Sequence, residues 1–341
     1  MVKVTIEDVA ELAKVSIKTV SRVVNNESHV RPDTVERVRE AIRALDYKPN
    51  PSARSLAASR SFVVGLLYDN PSSSYVIDIQ LGALGVCDVH HYELLIHPCD
   101  HGNHGLADDL TRLVRNSKVD GFLLTPPISD NQAVIASLSS NRIPHVRIAP
   151  GDRTPAHGIV LTNDFDVSAE MTRHLAALGH RRIAFVKGHP NHLAQAERYR
   201  GYVAGMGDAG LAVDANLVSQ GYNTFDSGIQ CAEALLRLPD RPTAIFSAND
   251  EMAVGVMRVA RLNGLDVPGD LSVAGFDDAP IARQIYPSLT TVRQPVRSMA
   301  ATATELLLNQ LRGGPDNDAA PVIASSMQIR ESTGPCRTRP G

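Results

Sequence analysis

The run Ser16-Ile17-Lys18-Thr19-Val20-Ser21-Arg22-Val23-Val24-Asn25 carries two cations, four neutral hydrogen-bonding side chains and no acid. That is chemistry for reading double-stranded DNA. Lys18 is expected at a guanine edge, Ile17 in apolar contact with a base, and Arg22 on a base or a phosphate, while Ser16, Thr19, Ser21 and Asn25 bond to bases or backbone. Thr5 and His29, on either side of the run, complete the candidate contacts there. A second set of polar residues follows predicted strands far along the chain: Asn70, Tyr75, Arg147, Asn249, Asp250, Asp277 and Asp278. Carboxylates and amides accept from hydroxyls and a guanidinium donates, which suits the enclosure of a small polar molecule. For Asp250 and Asp278 the expected role is structural, because each directly precedes a predicted helix start, where an acid caps.

The first set needs two short helices and a tight turn. Thr5 followed three residues later by Asp8 is a variant of the capping box, and Ile6, Val9, Ala10 and Ala13 then fall on one helix face. Lys14, Val15 and Ser16 interrupt the pattern; Ser16 is an N-cap type, and Val20, Val23 and Val24 give a second short helix its buried side. The pair is a helix-turn-helix, whose second helix enters the major groove. Pro32 starts a third helix with Val35, Val38, Ile42 and Leu45 as its apolar stripe. Beyond it, Asn50 caps and Pro51 opens a helix of about two turns, too short to be stable alone in water, with Ala53, Leu56 and Ala57 on one side. Such a segment is expected to fold on DNA, with Leu56 as an apolar wedge in the minor groove.

The second set needs sheets. From Phe62 onward short apolar runs alternate with helical patterns, as in parallel sheets covered on both faces. Strands are predicted over residues 62–68, 94–97, 121–124 and 145–148, and again over 183–186, 217–220, 244–247 and 271–275. Two such sets make two lobes, and a cleft at the carboxyl ends of their strands is where a ligand gathers. The expected fold is therefore a small all-α helix-turn-helix head followed by an α/β core of two parallel-sheet lobes.

Thr5-Ile-x-Asp8-Val-Ala, Val15-Ser-x-x-Thr19-Val-Ser-Arg22-Val and Asn50-Pro-x-Ala53-Arg-x-Leu56 together resemble the LacI/GalR family of bacterial transcription regulators. The resemblance continues through Leu178-Gly-His180-Arg-Arg-Ile-Ala, Arg198-x-x-Gly201-Tyr, Ala248-Asn249-Asp250, Val273-Ala-Gly275-Phe-Asp277-Asp278 and Pro287-x-Leu289-Thr-Thr-Val. It implies a periplasmic-binding-protein-like core, with Arg198, Asn249 and Asp277 lining an effector pocket; by side-chain chemistry, Phe225 or Tyr75 is expected to cover an apolar sugar face. It also implies a homodimer on a palindromic operator with a central CpG step, and one short hinge helix needs a partner to hide Leu56 in any case. The effector is expected to be a sugar, with a purine or nucleoside as the alternative. Many family members have a short Leu-Ile-Asp-Arg after the fourth strand; this chain has Arg147-Ile-Ala-Pro-Gly-Asp152, which loosens inference about the ligand.

The 341 residues are ample for a head and two lobes. The expected divisions are residues 1–47 for the DNA-binding domain, 48–60 for the hinge, 61–161 with 293–320 for one lobe, 162–292 with 321–333 for the other, and 334–341 for a tail. The first 60 residues hold eleven Lys or Arg against eight Asp or Glu, whereas the rest hold 23 against 29, so the positive end is the one suited to phosphate. Met1-Val-Lys3 runs straight into a capped polar helix rather than an export leader, and no apolar run approaches ~18 residues, so a cytoplasmic protein without membrane contact is expected. A bilobal extracellular binding protein would need a leader and no head. An enzyme would need catalytic machinery, and the chain has no P-loop, no nucleophile elbow and no GxGxxG after the first core strand. Cys87, Cys99, Cys231 and Cys336 form no CxxC pair and read as reduced thiols. His90, His91, His97, Cys99, His101 and His104 are metal-ligating types without fixed ligand spacing, so neither metal nor cofactor is expected. The carboxyl terminus shows no heptad extension, so no coiled-coil tetramer is expected.

Overall fold

The computed structural model describes residues 4–24, 30–47, 60–103, 105–117, 119–152, 158–314 and 319–337. Asn25, His29, Asn50, Ala53, Leu56 and Ala57, and with them the expected hinge helix, lie outside the described residues. By internal contact the chain separates into two compact units, Met1–Phe62 and Val63–Gly341. No helix among the described residues is long and apolar enough to cross a membrane.

The head is three helices, α1 (Ile6–Ala13), α2 (Ile17–Val24) and α3 (Pro32–Ala44). The capping box at its start is formed: Asp8 N donates to Thr5 Oγ1 at 3.4 Å, and Thr5 N donates to Asp8 Oδ2 at 2.7 Å. α1 ends where Lys14 turns left-handed at φ 53°, its N–H reaching back to the carbonyls of Ala10 and Glu11. The chain then starts α2 from Ser16, whose Oγ accepts from Thr19 N at 3.2 Å. Val9, Ala10 and Ala13 of α1, Val20 and Val23 of α2, and Val38 and Ala41 of α3 form one buried core. Completely burying a valine such as Val20 stabilises by roughly 1.5–3 kcal/mol, a large share for so small a unit.

In the core unit, β1 (Val63–Tyr68), β2 (Glu93–Pro98), β3 (Gly121–Leu124), β4 (His145–Ile148) and β5 (Ile159–Thr162) belong to a six-stranded sheet with β11 (Val322–Ile323), in the order β11-β5-β4-β3-β1-β2. All its pairings are parallel. Its helices are α4 (Ser73–His90), α5 (Leu106–Ser117), α6 (Gln132–Ser140) and, late in the chain, α12 (Val296–Leu311), which lies against α4. Gly82 permits that approach, since a Cβ there would strike the Arg297 carbonyl. The second sheet, β7-β6-β8-β9, is also parallel and comprises β6 (Ile183–Lys187), β7 (Val218–Gln220), β8 (Ala244–Ser247) and β9 (Ser272–Ala274). Its helices are α7 (Asp164–Ala177), α8 (Ala194–Asp208), α9 (Phe225–Leu236), α10 (Asp250–Leu262) and the short α11 (Pro280–Gln284). An antiparallel pair, β10 (Thr291–Arg293) with β12 (Ser326–Gln328), completes the unit.

Three details depart from the sequence reading. Val322 and Ile323 pair in parallel with Leu161 and Thr162 in the first sheet, whereas the stretch 321–333 was expected entirely in the second lobe. Leu217 ends a 3-10 turn, Ala215–Leu217, rather than opening β7, because Asp214 Oδ1 accepts from Asn216 N at 2.9 Å and tightens the chain there. The strands β5, β10, β11 and β12 had no counterpart in the expected set.

Candidate functional site

The recognition face of α2 is built by what α2 buries. With Val20 and Val23 turned into the head, Ser16, Ile17 and Lys18 are exposed and Thr19, Ser21 and Arg22 half-buried at its rim. Ile17 is 47% exposed, an apolar side chain with nothing to cover it within the head. Lys18 has no hydrogen bond or ion pair among the described residues. Ser16 and Thr19 are joined to each other, Oγ to Oγ1 at 2.9 Å, which holds the first turn in shape. Thr5 is committed to capping α1.

The second site lies within the core unit, at the carboxyl ends of both sheets. Each sheet reverses its strand order there, between β1 and β3 and between β6 and β8, which is where open parallel sheets leave a crevice. The cavity is lined by Asn70, Tyr75, Asp164, His192, Gln195, Arg198, Asn223, Asn249, Asp277 and Gln294, among others. At its centre is Arg198, which is 5% exposed. Its Nε donates to Asp164 Oδ2 at 2.9 Å, and its Nη1 donates to the Ala248 carbonyl at 2.5 Å and stands 3.6 Å from Asp277 Oδ1. The guanidinium also lies over the Phe276 ring, 3.7 Å from its centre. Gly201 makes the Arg198–Asp164 pair possible: a Cβ there would run into the Phe165 carbonyl and push α8 off α7.

Two acceptors in the cavity have no partner. Asp164 Oδ1 and Gln195 Oε1 are buried without a hydrogen bond, and each would cost about 1–3 kcal/mol if it stayed so. Asp277, held at φ 121°, accepts from Gln294 Nε2 at 2.6 Å. Burial raises its pKa to about 6 against the opposing pull of Arg198 and the Gln294 bond. His192 is pushed the other way, to about 4, by burial and then by its neighbours His189 and Arg198, so it is a neutral imidazole at pH 7. Burial likewise drives the Tyr75 hydroxyl well above its ordinary value, keeping it a neutral donor.

The cavity brings together Asn70, Tyr75, Arg198, Asn249 and Asp277 from the expected set. Asn249 has a structural task as well, capping α10 through Met252 N at 3.0 Å and donating to the Asn223 carbonyl at 3.0 Å. Arg147 and Phe225 are not among the lining residues. Arg147 is drawn away by Asp130 at 3.2 Å and by the Ser129 carbonyl at 2.6 Å, and Phe225 opens α9 at the surface, 36% exposed. Asp250 and Asp278 are structural, but not as caps. Asp250 ties Ala279 N at 2.8 Å and Thr291 Oγ1 at 2.5 Å, while Asp278 pairs with Arg293 at 2.6 Å and Arg330 at 2.5 Å. Asp164, His192, Gln195, Asn223 and Gln294 escaped the sequence reading. The only local signal for Asp164 was an acid in the first turn of a helix, which ordinarily means no more than a favourable dipole contact.

Comparison with known proteins agrees with both halves of this description. Residues 5–50 match the model for bacterial regulatory proteins of the lacI family, and residues 172–333 match the periplasmic binding protein-like domain. Catabolite control protein A of Priestia megaterium is 33% identical over 97% of this chain and 99% of its own. The transcriptional repressor PurR of Vibrio atlanticus is 31% identical over 90% and 92%. Among solved structures, the lac repressor dimer bound to operator and an anti-inducer superposes with a TM-score of 0.76 at 29% identity, over 97% of this chain and 99% of that one. The transcriptional regulator CelR in complex with cellobiose gives 0.73 at 30%, over 96% and 99%. The helix-turn-helix head and two-lobed core define a DNA-binding transcription regulator with an effector-binding domain. The chain belongs to the LacI family of bacterial regulatory proteins.

Proposed function

We propose that this chain is a cytoplasmic, homodimeric, operator-binding repressor of carbohydrate uptake or catabolism genes, released or engaged by a neutral sugar in the core cleft, and not an enzyme. The observation that carries the sugar is the pair of buried, unpartnered acceptors, Asp164 Oδ1 and Gln195 Oε1, beside Asp277 and Arg198. Those oxygens call for hydroxyl donors, and Arg198 supplies donors to ring or hydroxyl oxygens. Two carboxylates flank the one guanidinium, so a phosphate or carboxylate on the ligand would meet net repulsion. Among the described lining residues a purine finds only the Tyr75 ring and the His192 imidazole to stack on, against a much larger polar lining, which disfavours the nucleobase reading despite the likeness to PurR. The dimer is supported by α4, whose Ile77, Leu81 and Val89 form an exposed apolar stripe on one helix face. DNA contact falls to Ser16, Ile17, Lys18, Thr19, Ser21 and Arg22, with Asn25, His29 and the hinge residues Asn50, Ala53, Leu56 and Ala57 joining from outside the described stretch.

A thermal-shift screen of sugars, sugar phosphates and nucleobases tests this reading, because a ligand at 100 times its dissociation constant adds ~2.7 kcal/mol of stability. Neutral sugars should raise the melting temperature and change operator binding in a gel shift, and be recovered unchanged. Stabilisation by nucleobases alone would move the assignment to purines, and a chemically altered sugar would make the protein an enzyme.

A further inference from the structure

At the edge of the cleft, a second group of chemistry-bearing side chains is assembled by the register of the first sheet. Tyr68 at the end of β1 pairs with Pro98 at the end of β2, and Cys99 N donates to the Tyr68 carbonyl at 2.8 Å. The residues that follow the two strands are therefore neighbours although far apart in sequence: Asp69 comes beside Asp100 and His101. Asp69 Oδ2 accepts from His101 N at 3.0 Å and lies 2.5 Å from His101 Nδ1. One oxygen or nitrogen from each of Asp69, Asp100 and His101 falls within 4.8 Å of the others.

The cluster also faces the other lobe. Asn191, in the loop after β6, places its side-chain amide 2.6 Å from His101 Nε2, and the His189 ring meets the His101 ring edge-on with centres 5.7 Å apart. Asn191 N donates to His189 Nδ1 at 3.2 Å, so the two second-lobe residues are held together.

We propose that Asp69, Asp100 and His101 form a site for a divalent transition-metal ion of the zinc class at the junction of the two lobes. Two carboxylates balance the ion's charge, and the imidazole selects zinc-like ions over calcium and magnesium, which prefer oxygen alone. An ion at His101 Nδ1 displaces the proton between that nitrogen and Asp69 Oδ2 and completes its shell with water, while Asn191, on the Nε2 side of the ring, holds the imidazole from the second lobe. An ion that fixes the His101 ring against Asn191 ties the two lobes together, and metal becomes a second input to the regulator. This assignment stands independently of the sugar reading, since none of its three ligands lines the effector cavity.

The test is Zn²⁺ titration of full-length, chelator-treated protein in competition with a chromophoric chelator, with the Co²⁺ absorption spectrum as a report on ligand type. One ion per chain is expected. Asp69→Asn, Asp100→Asn and His101→Gln should each weaken binding by at least about tenfold, while His97→Gln in the same stretch changes nothing. Asp100 lies outside the Asp69–His101 pair, so its variant keeps that hydrogen bond and controls for local unfolding. Equal binding by wild type and all three variants, or no binding at roughly 100 μM Zn²⁺, overturns the site. A thiolate charge-transfer band in the Co²⁺ spectrum that disappears in Cys99→Ser overturns this ligand set.

Discussion

The recognition helix and the cleft solve opposite problems with the same kinds of side chain. On α2 the polar and apolar groups that matter point outward, and Lys18 and Ile17 are left open on a head held by valines and alanines behind them. In the cleft nearly every polar group is already spoken for: Arg198 by Asp164, Ala248 and Asp277, Asn249 by α10 and Asn223, Asp277 by Gln294. DNA is a strong polyanion that supplies its own partners, so its reader gains by staying open. A small neutral ligand supplies few contacts, so its pocket must be preorganised, and each buried charge needs a resident counter-charge. Substitutions on α2 should therefore change binding and spare folding, whereas substitutions at the centre of the cleft should change both.

Arg198→Ala is the strongest way to break that contrast. From sequence alone it is expected to abolish the effector response and leave operator affinity largely intact. The structure adds a stability cost, because Asp164 and Asp277 would be left buried around an empty centre, and removing one partner of a buried ion pair costs about 3–5 kcal/mol. Urea unfolding of the full chain should show that loss in the core transition. Unchanged stability with a lost effector response would mean that Arg198 acts on the ligand alone.

The next effect is a tilt with pH. Burial raises Asp277 to about 6 from an ordinary 3.8, so the folded core binds a proton there that the unfolded chain releases between roughly pH 4 and 6. Asp277's contribution is thus most favourable below about pH 4 and is lost as pH rises through about 6. Asp277→Asn removes that dependence. Melting temperatures of wild type and variant from pH 4.5 to 7.5 should converge or cross toward the acid end as the wild type regains what it loses near neutrality. Parallel curves would show that Asp277 keeps an ordinary carboxylate pKa.

These outcomes also explain what was legible in the sequence. The head is encoded within a few residues of itself: Thr5 with Asp8, Ser16 with Thr19, and valines spaced three and four apart, all of which formed. The strands β3, β4 and β8 were readable to the residue, β3 and β8 as short apolar runs between polar turns and β4 as the alternation of His145 and Arg147 with Val146 and Ile148. The cleft is different because its partners meet only through the sheets. Asp164 finds Arg198 across two helices, and Arg147 is diverted by Asp130, a residue in a 3-10 turn that no periodicity marks. The short strands β10, β11 and β12, of two or three residues, exist only because a distant edge is there to receive them. Asp164 and Gln195, the unpartnered acceptors, look in sequence like an N-terminal helix acid and a polar loop residue.

Lys18→Ala is the mildest change and the sharpest test of the open side of the contrast. Its side chain is exposed and makes no bond within the described head, so the head should melt at the wild-type temperature. The loss should appear on DNA alone, roughly 1–3 kcal/mol on the preferred half-site, with relaxed preference at one base pair. Binding measured across a series of operators at several salt concentrations separates the two ways a lysine contacts DNA. A base-reading Lys18 leaves the salt dependence nearly unchanged and costs most on the preferred sequence. If instead every sequence weakens equally and the salt slope drops by about one, Lys18 neutralises a phosphate, and the reading of bases passes to Ile17, Ser21 and Arg22.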